Sequence, residues 1–275
     1  MRRFVIFLIT LICTYAYIEI HLHHTPERVF RIAAECDYTP HNWEEKEPTE
    51  SNVPLANVEG RYAEGYDIQI AKLVAESMGA KLEVKKIPWQ ELVEALNKRE
   101  VDAIFSGMLD TSARRKLIAF SDVYDVQTSV YGVMVRKNGK YADAEKLSDF
   151  IGAAFVAQKD SNLNRAIAQI KGAIHLPPVM HVSEVFEKMI QGEADATVLD
   201  LDSAETYRRV YPGFKIIEFD EGNGFHFDFT GICAGVRKND RKLLEEINGA
   251  LKGISKHDRQ RIMDQTVSRS WENVY

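Results

Sequence analysis

The sequence predicts an α/β protein of two doubly wound lobes joined by two hinge crossings, and three observations lead there. Apolar runs biased toward strand formers alternate with segments of helical period along most of the chain. A helix-plus-strand unit occurs twice: ELVEALNKREVDAIFSGM at Glu91–Met108 matches EVFEKMIQGEADATVLDL at Glu184–Leu201 in its Glu, apolar and x-Asp-Ala positions. Between the copies, Tyr124–Val135 is a β-rich run that reads as a crossing from one lobe to the other. The alternative is one large sheet containing a duplicated unit. On the two-lobe reading, residues 29–125 and 228–275 form the first lobe, 126–227 the second, and a ligand binds between them at the strand C-termini.

A chain of 275 residues with 45% hydrophobic and 28% charged content has the composition of a soluble globular protein. A net charge of −6 argues against a nucleic-acid partner, which would want a basic face. Cys13, Cys36 and Cys233 form no metal-ligand cluster, and nothing brings Cys36 to Cys233. No nucleophile–base pair stands out, so neither cofactor nor metal is expected.

The segment 1–28 has another character. Met1-Arg2-Arg3 followed by Phe4–Ile12 reads as an export signal, which places the protein outside the cytoplasm. Three fates stay open: a cleaved signal, a lipid attached to Cys13 after Leu11-Ile12, or an uncleaved anchor reaching through Thr14–Ile20. His21, His23 and His24 read as a solvated tether rather than a metal site, since no carboxylate or Cys completes one.

Val29–Ala34 is the first strand. Glu35–Trp43 follows as an irregular loop with exposed Tyr38 and Trp43, either a contact surface or the cover of a core edge; Glu44–Arg61, with Pro48 and Pro54, is a long loop. Asp67 can N-cap a helix whose Ile68, Ala71, Val74, Ala75 and Met78 share a face, stopped by Gly79. Leu82–Ile87 is a strand and Gln90–Lys98 a helix. Val101–Phe105 is the next strand, Ser106-Gly107 breaks it, and Thr111-Ser112-Ala113 opens a helical segment with Arg114 and Arg115. Backbone N–H groups beside a guanidinium fork make this an anion-binding corner.

In the second lobe, which begins at Lys146–Phe150, Ala153–Ala157 is a strand. Gln158-Lys159-Asp160-Ser161-Asn162 leads into the helical pattern of Leu163, Ile167 and Ile170, a second helix start facing the cleft. Ala196–Leu199 ends on Asp200, which holds the place of Gly107 in the first copy. A carboxylate there complements an ammonium group across from Arg114; equally, it or Asp202 could cap the Ser203–Tyr211 helix. Lys215–Phe219 is a strand, and Gly222-Asn223-Gly224 starts the return. Thr230–Arg237 re-enters the first lobe, and Arg241–Gly253 and Lys256–Val267 are closing helices.

The stretch VDAIFSGMLDTSARRKLIAFSD at Val101–Asp122 resembles the signature of the amino-acid-binding proteins of ABC importers: Asp102-Ala103, the small loop Ser106-Gly107, Thr111-Ser112-Ala113-Arg114, and Phe120-Ser121-Asp122. The resemblance covers most of the chain after about residue 29. It implies a periplasmic or lipid-anchored capture protein with a cleft, monomeric and non-enzymatic, which hands an L-amino acid to a permease. It assigns the ligand's α-carboxylate to Arg114, with Ser106, Gly107, Ser161 and Asn162 around it, and the α-ammonium to Asp200. Tyr38 and Trp89 flank the side chain, and Glu35 stands where relatives that bind Lys or Arg place a carboxylate. Three positions depart from the pattern: Leu109 replaces a Ser or Thr, Ala113 a Glu, and Asp160 a Gly. A neutral ligand such as glutamine is the alternative to a cationic one. An enzyme on the same fold, of the prephenate-dehydratase or cell-wall-lyase kind, and an extracellular sensor are the alternatives to transport.

Overall fold

The computed structural model describes residues 28–125, 131–220, 223–227 and 231–272. The segment expected to be a signal or tether, with Cys13, His21, His23 and His24, lies outside the described residues, as do parts of both expected crossings. Among the described residues no helix is long and apolar enough to cross a membrane.

The chain runs through strands β1 (Val29–Ala34), β2 (Asp37–Tyr38), β3 (Asn42–Glu45), β4 (Val53–Pro54) and β5 (Tyr62–Glu64) into helix α1 (Tyr66–Ser77). Strand β6 (Lys81–Lys86), a 3₁₀ turn at Trp89–Glu91, helix α2 (Leu92–Asn97), β7 (Ala103–Ile104), α3 (Ser112–Arg115) and β8 (Ala119–Asp125) follow. The other lobe holds β9 (Tyr131–Arg136), a 3₁₀ turn at Leu147–Phe150, β10 (Ala154–Phe155), α4 (Asn162–Ile167), β11 (Ile174–His175), α5 (Val182–Gln191), β12 (Ala196–Asp200), α6 (Leu201–Val210) and β13 (Phe214–Ile217). The return brings β14 (Ile232–Val236), α7 (Arg241–Lys252) and α8 (Lys256–Glu272).

Two five-stranded sheets share one plan, β6-β1-β7-β14-β8 and β11-β10-β12-β9-β13. In each, the first three strands are parallel and the fourth is antiparallel to its neighbours. Those fourth strands, β14 and β9, lie next to the two crossings. Helices cover both faces, so an inner strand such as β1 reads as a near-continuous apolar run: Phe30, Ile32 and Ala34 join one core cluster and Ala33 another, with Arg31 exposed.

The repeat seen in the sequence occupies the same place in each sheet. Helix α2 feeds β7 and helix α5 feeds β12, the central strands. Its shared aspartate has the same task twice: Asp102 accepts from the Arg31 amide and Asp195 from the Ala154 amide, each at 2.9 Å. Each faces an arginine, Arg237 at 3.7 Å and Arg136 at 3.3 Å. Those arginines also tie matching carbonyls, Arg237 those of Leu96 and Val101, Arg136 those of Met189 and Ala194. Both belong to a Val-Arg-Lys-Asn run, at residues 135–138 and 236–239, so the duplication extends into the fourth strands.

Several expected elements shift. The Glu35–Trp43 and Glu44–Arg61 stretches are not merely loops: they contribute β2, β3 and β4 to a four-stranded antiparallel sheet, β2-β3-β5-β4, whose strands of two to four residues are too short to show a period. Trp43 is buried rather than exposed, at 8%. The cap of α1 is Gly65, not Asp67; with φ of 126° and the space for a Cβ taken by the His41 carbonyl at 2.3 Å, only glycine fits there. Asp67 turns inward instead, accepting from Asn42 Nδ2 at 2.8 Å and from the Tyr124 hydroxyl at 2.6 Å. Cys36 and Cys233 are both buried free thiols.

Candidate functional site

A cavity of about 470 Å³, counting its mouth, opens between the lobes. The first lobe contributes Glu35, Tyr38, Trp89, Gly107, Leu109 and Arg114 to its wall, and the second contributes Ser161 and Asn162. Eight of the expected site residues therefore meet in one place, and three do not.

Arg114 follows from a single helical turn. Thr111 caps α3, its hydroxyl accepting from the Arg114 amide at 3.3 Å. With only four residues the helix has little dipole, so the positive character of this corner rests on the guanidinium itself. Arg114 donates to the Leu109 carbonyl at 3.0 Å and, across the cleft, to the Asp160 carbonyl at 3.3 Å. It lies 4.9 Å over the Trp89 ring. Burial pulls its pKa down to about 10, which leaves it charged at neutral pH. Both hydrogen-bond partners are carbonyls, so the charge remains for a ligand anion to neutralise.

Beside it, Gly107 has φ of 60°, and a Cβ there would lie 3.0 Å from the Tyr38 ring. The glycine lets the ring close over the loop. In the facing loop Asp160 also takes a left-handed conformation, φ 60°, which explains why a glycine would suit its place and why an aspartate is tolerated. Asp160 does not cap α4; Ser161 does, accepting from the Asn164 amide at 3.2 Å and donating to the Gln158 carbonyl at 2.7 Å.

Glu35 is 3% exposed. Its amide bonds the Ser106 hydroxyl at 2.9 Å, and its carboxyl accepts from the Gln158 amide across the lobes. Burial, with the Asp37 charge added, pushes the Glu35 carboxyl up to about 8.

Ser106, Trp43 and Asp200 stand off the cavity wall. Ser106 acts from behind, holding the Glu35 backbone. Trp43 lines a separate, wider groove of about 1400 Å³ together with Tyr207 and Tyr211. Of the two roles its position allowed, Asp200 takes the capping one here. It caps α6 by accepting from the Ser203 amide at 2.9 Å, and its other oxygen accepts from the Tyr38 hydroxyl, so Tyr38 stands between it and the cavity.

Behind Tyr38 the sequence reading missed His41. This wholly buried imidazole sits 3.8 Å from Asp200 and 4.0 Å from Asp125. Burial alone would depress it, but the field of Asp200, with Asp67 and Asp125 beyond, raises it to about 9. Asp200 in turn overcomes its own burial, held below the ordinary carboxylate range by His41, Tyr38 and the Ser203 amide. Gln158 and Tyr131, both on the cavity wall, were also missed as site residues.

The sheet plan and cleft recur in solved proteins. An ancestral arginine-binding protein bound to glutamine superposes with a TM-score of 0.72 and 25% identity, over 87% of this chain and 98% of that one. In sequence, a probable histidine-binding protein of Neisseria gonorrhoeae is 26% identical over 231 residues, 83% of this chain and 79% of its own. The arginine-binding extracellular protein of Bacillus subtilis is 26% identical over 206 residues, 72% of this chain and 75% of its own. With the family profile itself matching residues 49–267, the chain belongs to the bacterial extracellular solute-binding proteins, family 3.

Proposed function

We propose that this protein captures a basic L-amino acid, arginine or lysine, between its lobes and presents it to the permease of an ABC importer. The observation that carries the reading is that a guanidinium without a carboxylate partner among its hydrogen bonds, Arg114, and a buried carboxyl, Glu35, line the same cavity. A ligand with an α-carboxylate and a cationic side chain satisfies both. Trp89 and Tyr38 supply aromatic walls for the alkyl stem and the charge. The α-ammonium is read through Tyr38: its hydroxyl proton goes to Asp200, so the phenol oxygen offers lone pairs to the ligand, strengthened by the carboxylate behind. Family and relatives place the work outside the cytoplasm, and the N-terminal segment serves as signal or anchor for a monomer.

Differential scanning fluorimetry with a panel of amino acids tests this. Arginine and lysine raise the melting temperature by mass action, and Glu35→Gln selectively loses that response. A response confined to neutral or acidic amino acids refutes the cationic assignment.

One observation favours an enzyme instead. A carboxyl held protonated near neutral pH in a cavity is what a general acid needs, for instance to protonate a departing hydroxyl. Incubation with prephenate separates the readings: aromatic product formation supports the dehydratase, and none supports binding alone.

A further inference from the structure

At the Glu35 end of the cleft two carboxylates and an imidazole from both lobes converge. Donor atoms of Glu35, Asp37 and His181 all lie within 4.8 Å of one another. Glu35 follows the last residue of β1 and Asp37 opens β2, while His181 is the residue on which α5 begins. Glu184 fixes that residue's backbone, accepting from the Met180 amide at 2.9 Å and the His181 amide at 3.4 Å. Asp37 is tied to the same helix start, accepting from the Ser183 hydroxyl at 3.1 Å and amide at 3.3 Å.

The cluster is short of positive charge. Lys86, whose field reaches both carboxylates, has its ammonium held by Glu44 at 2.6 Å. Asp37 has His181 itself 3.9 Å away, charged only when protonated. Glu35 is nearly closed off from solvent, so its charged form has little hydration to rely on. Two oxygen ligands and one nitrogen ligand, with Glu35 on the cavity wall, are the donor set of a borderline divalent metal.

The geometry points to Glu35, Asp37 and His181 as a divalent transition-metal site, of zinc type, that spans the lobes and holds them closed. A dipositive ion cancels both carboxylates and takes a neutral imidazole, and the three ligands converge only when the lobes meet. Glu35 is shared with the cationic ligand of the proposed function, so metal and arginine exclude each other. Each therefore weakens the other's apparent binding in proportion to its own concentration over its Kd. The metal site itself stands on these three side chains and does not require the amino-acid reading.

Isothermal titration of zinc chloride into the full chain, stripped with a chelator, tests it. His21, His23 and His24 are replaced by alanine throughout to silence that run. One zinc per chain is expected, weakened at least tenfold by His181→Ala and likewise by Asp37→Asn, each variant checked for an unchanged circular-dichroism spectrum. Small-angle scattering is expected to show a smaller radius of gyration with zinc alone. Absence of zinc binding, or affinity unchanged in both variants, overturns the site. Should zinc bind as described while arginine does not, the transport reading falls and the metal site stands.

Discussion

Glu35 and Gln158 hold the same position in the two lobes, and the amide of one donates to the carboxyl of the other. Ile32 pairs with Ala103 in the first sheet as Phe155 pairs with Ala196 in the second, and each polar residue lies three positions further on. The duplicated module thus meets itself across the cleft at its two strand ends. Duplication placed an acid opposite an amide, and the acid is the half that can change charge.

That asymmetry gives closure a pH dependence. In the closed form Glu35 titrates at about 8 against an ordinary value of 4.5, so the closed form holds the proton more tightly than an open, solvated one. Its contribution to closure is full below about pH 4.5 and fades as pH climbs through about 8. Small-angle scattering on unliganded protein should show opening between pH 6 and pH 9, on a scale set by the Glu35 shift. Glu35→Gln should stay closed across the range; identical profiles for the two proteins would remove Glu35 as the cause.

Arg114→Ala should abolish ligand binding and leave the melting temperature of the free protein little changed. Leaving a partly buried ligand carboxylate unmatched costs on the order of 3 kcal/mol, roughly a hundredfold in affinity. Arg114→Lys should recover only part, because an ammonium cannot copy the fork or the stacking on Trp89. Unchanged affinity by calorimetry would take Arg114 out of the site.

Tyr38→Phe separates a relay from direct contact with Asp200. Removing the hydroxyl leaves the buried Asp200 short of one donor, a cost of about 1–3 kcal/mol. Ligand affinity should fall by roughly tenfold or more on that scale. Affinity equal to or above wild type would mean that Asp200 reaches the ligand without Tyr38.

Much of this site is legible in the residues, and the limits are physical. The strand Val29–Ala34 is found with its bounds because a doubly covered strand reads as a near-continuous apolar run, broken here by Arg31 alone. Arg114 and Ser161 stand out because a cap followed by a turn is a local pattern. Gln158 had a signal that went unused: carrying the repeat back one strand aligns it with Glu35. His41 had none. A histidine in a short hairpin looks like any surface residue, and its three carboxylate neighbours come from α1, the end of β8 and the end of β12, which only the tertiary fold brings together. The same holds for Trp43, whose neighbours across the wider groove lie on α6 and just beyond it.

Asp102→Ala and Asp195→Ala should be equivalent lesions. Each strips a strand amide of its acceptor, worth about 1–3 kcal/mol, and an arginine of one ion-pair partner, Arg237 keeping Asp240 at 2.9 Å. As the two sites lie in different sheets, the double variant should lose the sum in chemical denaturation. A clear excess over the sum would show an energetic coupling between the two sites.

The sheet order also dictates a schedule. Strands β9 to β13 are one uninterrupted run of chain, so their sheet can be completed as soon as Ile217 has left the ribosome or the export channel. The other sheet lacks its fourth strand until Ile232–Val236 arrives, and β8 has no other ladder partner there. The lobe that begins the chain is therefore the last to finish, and a nascent protein passes through a stage in which one half is mature while β7 and β8 wait as open edges for whatever holds unfinished chains apart.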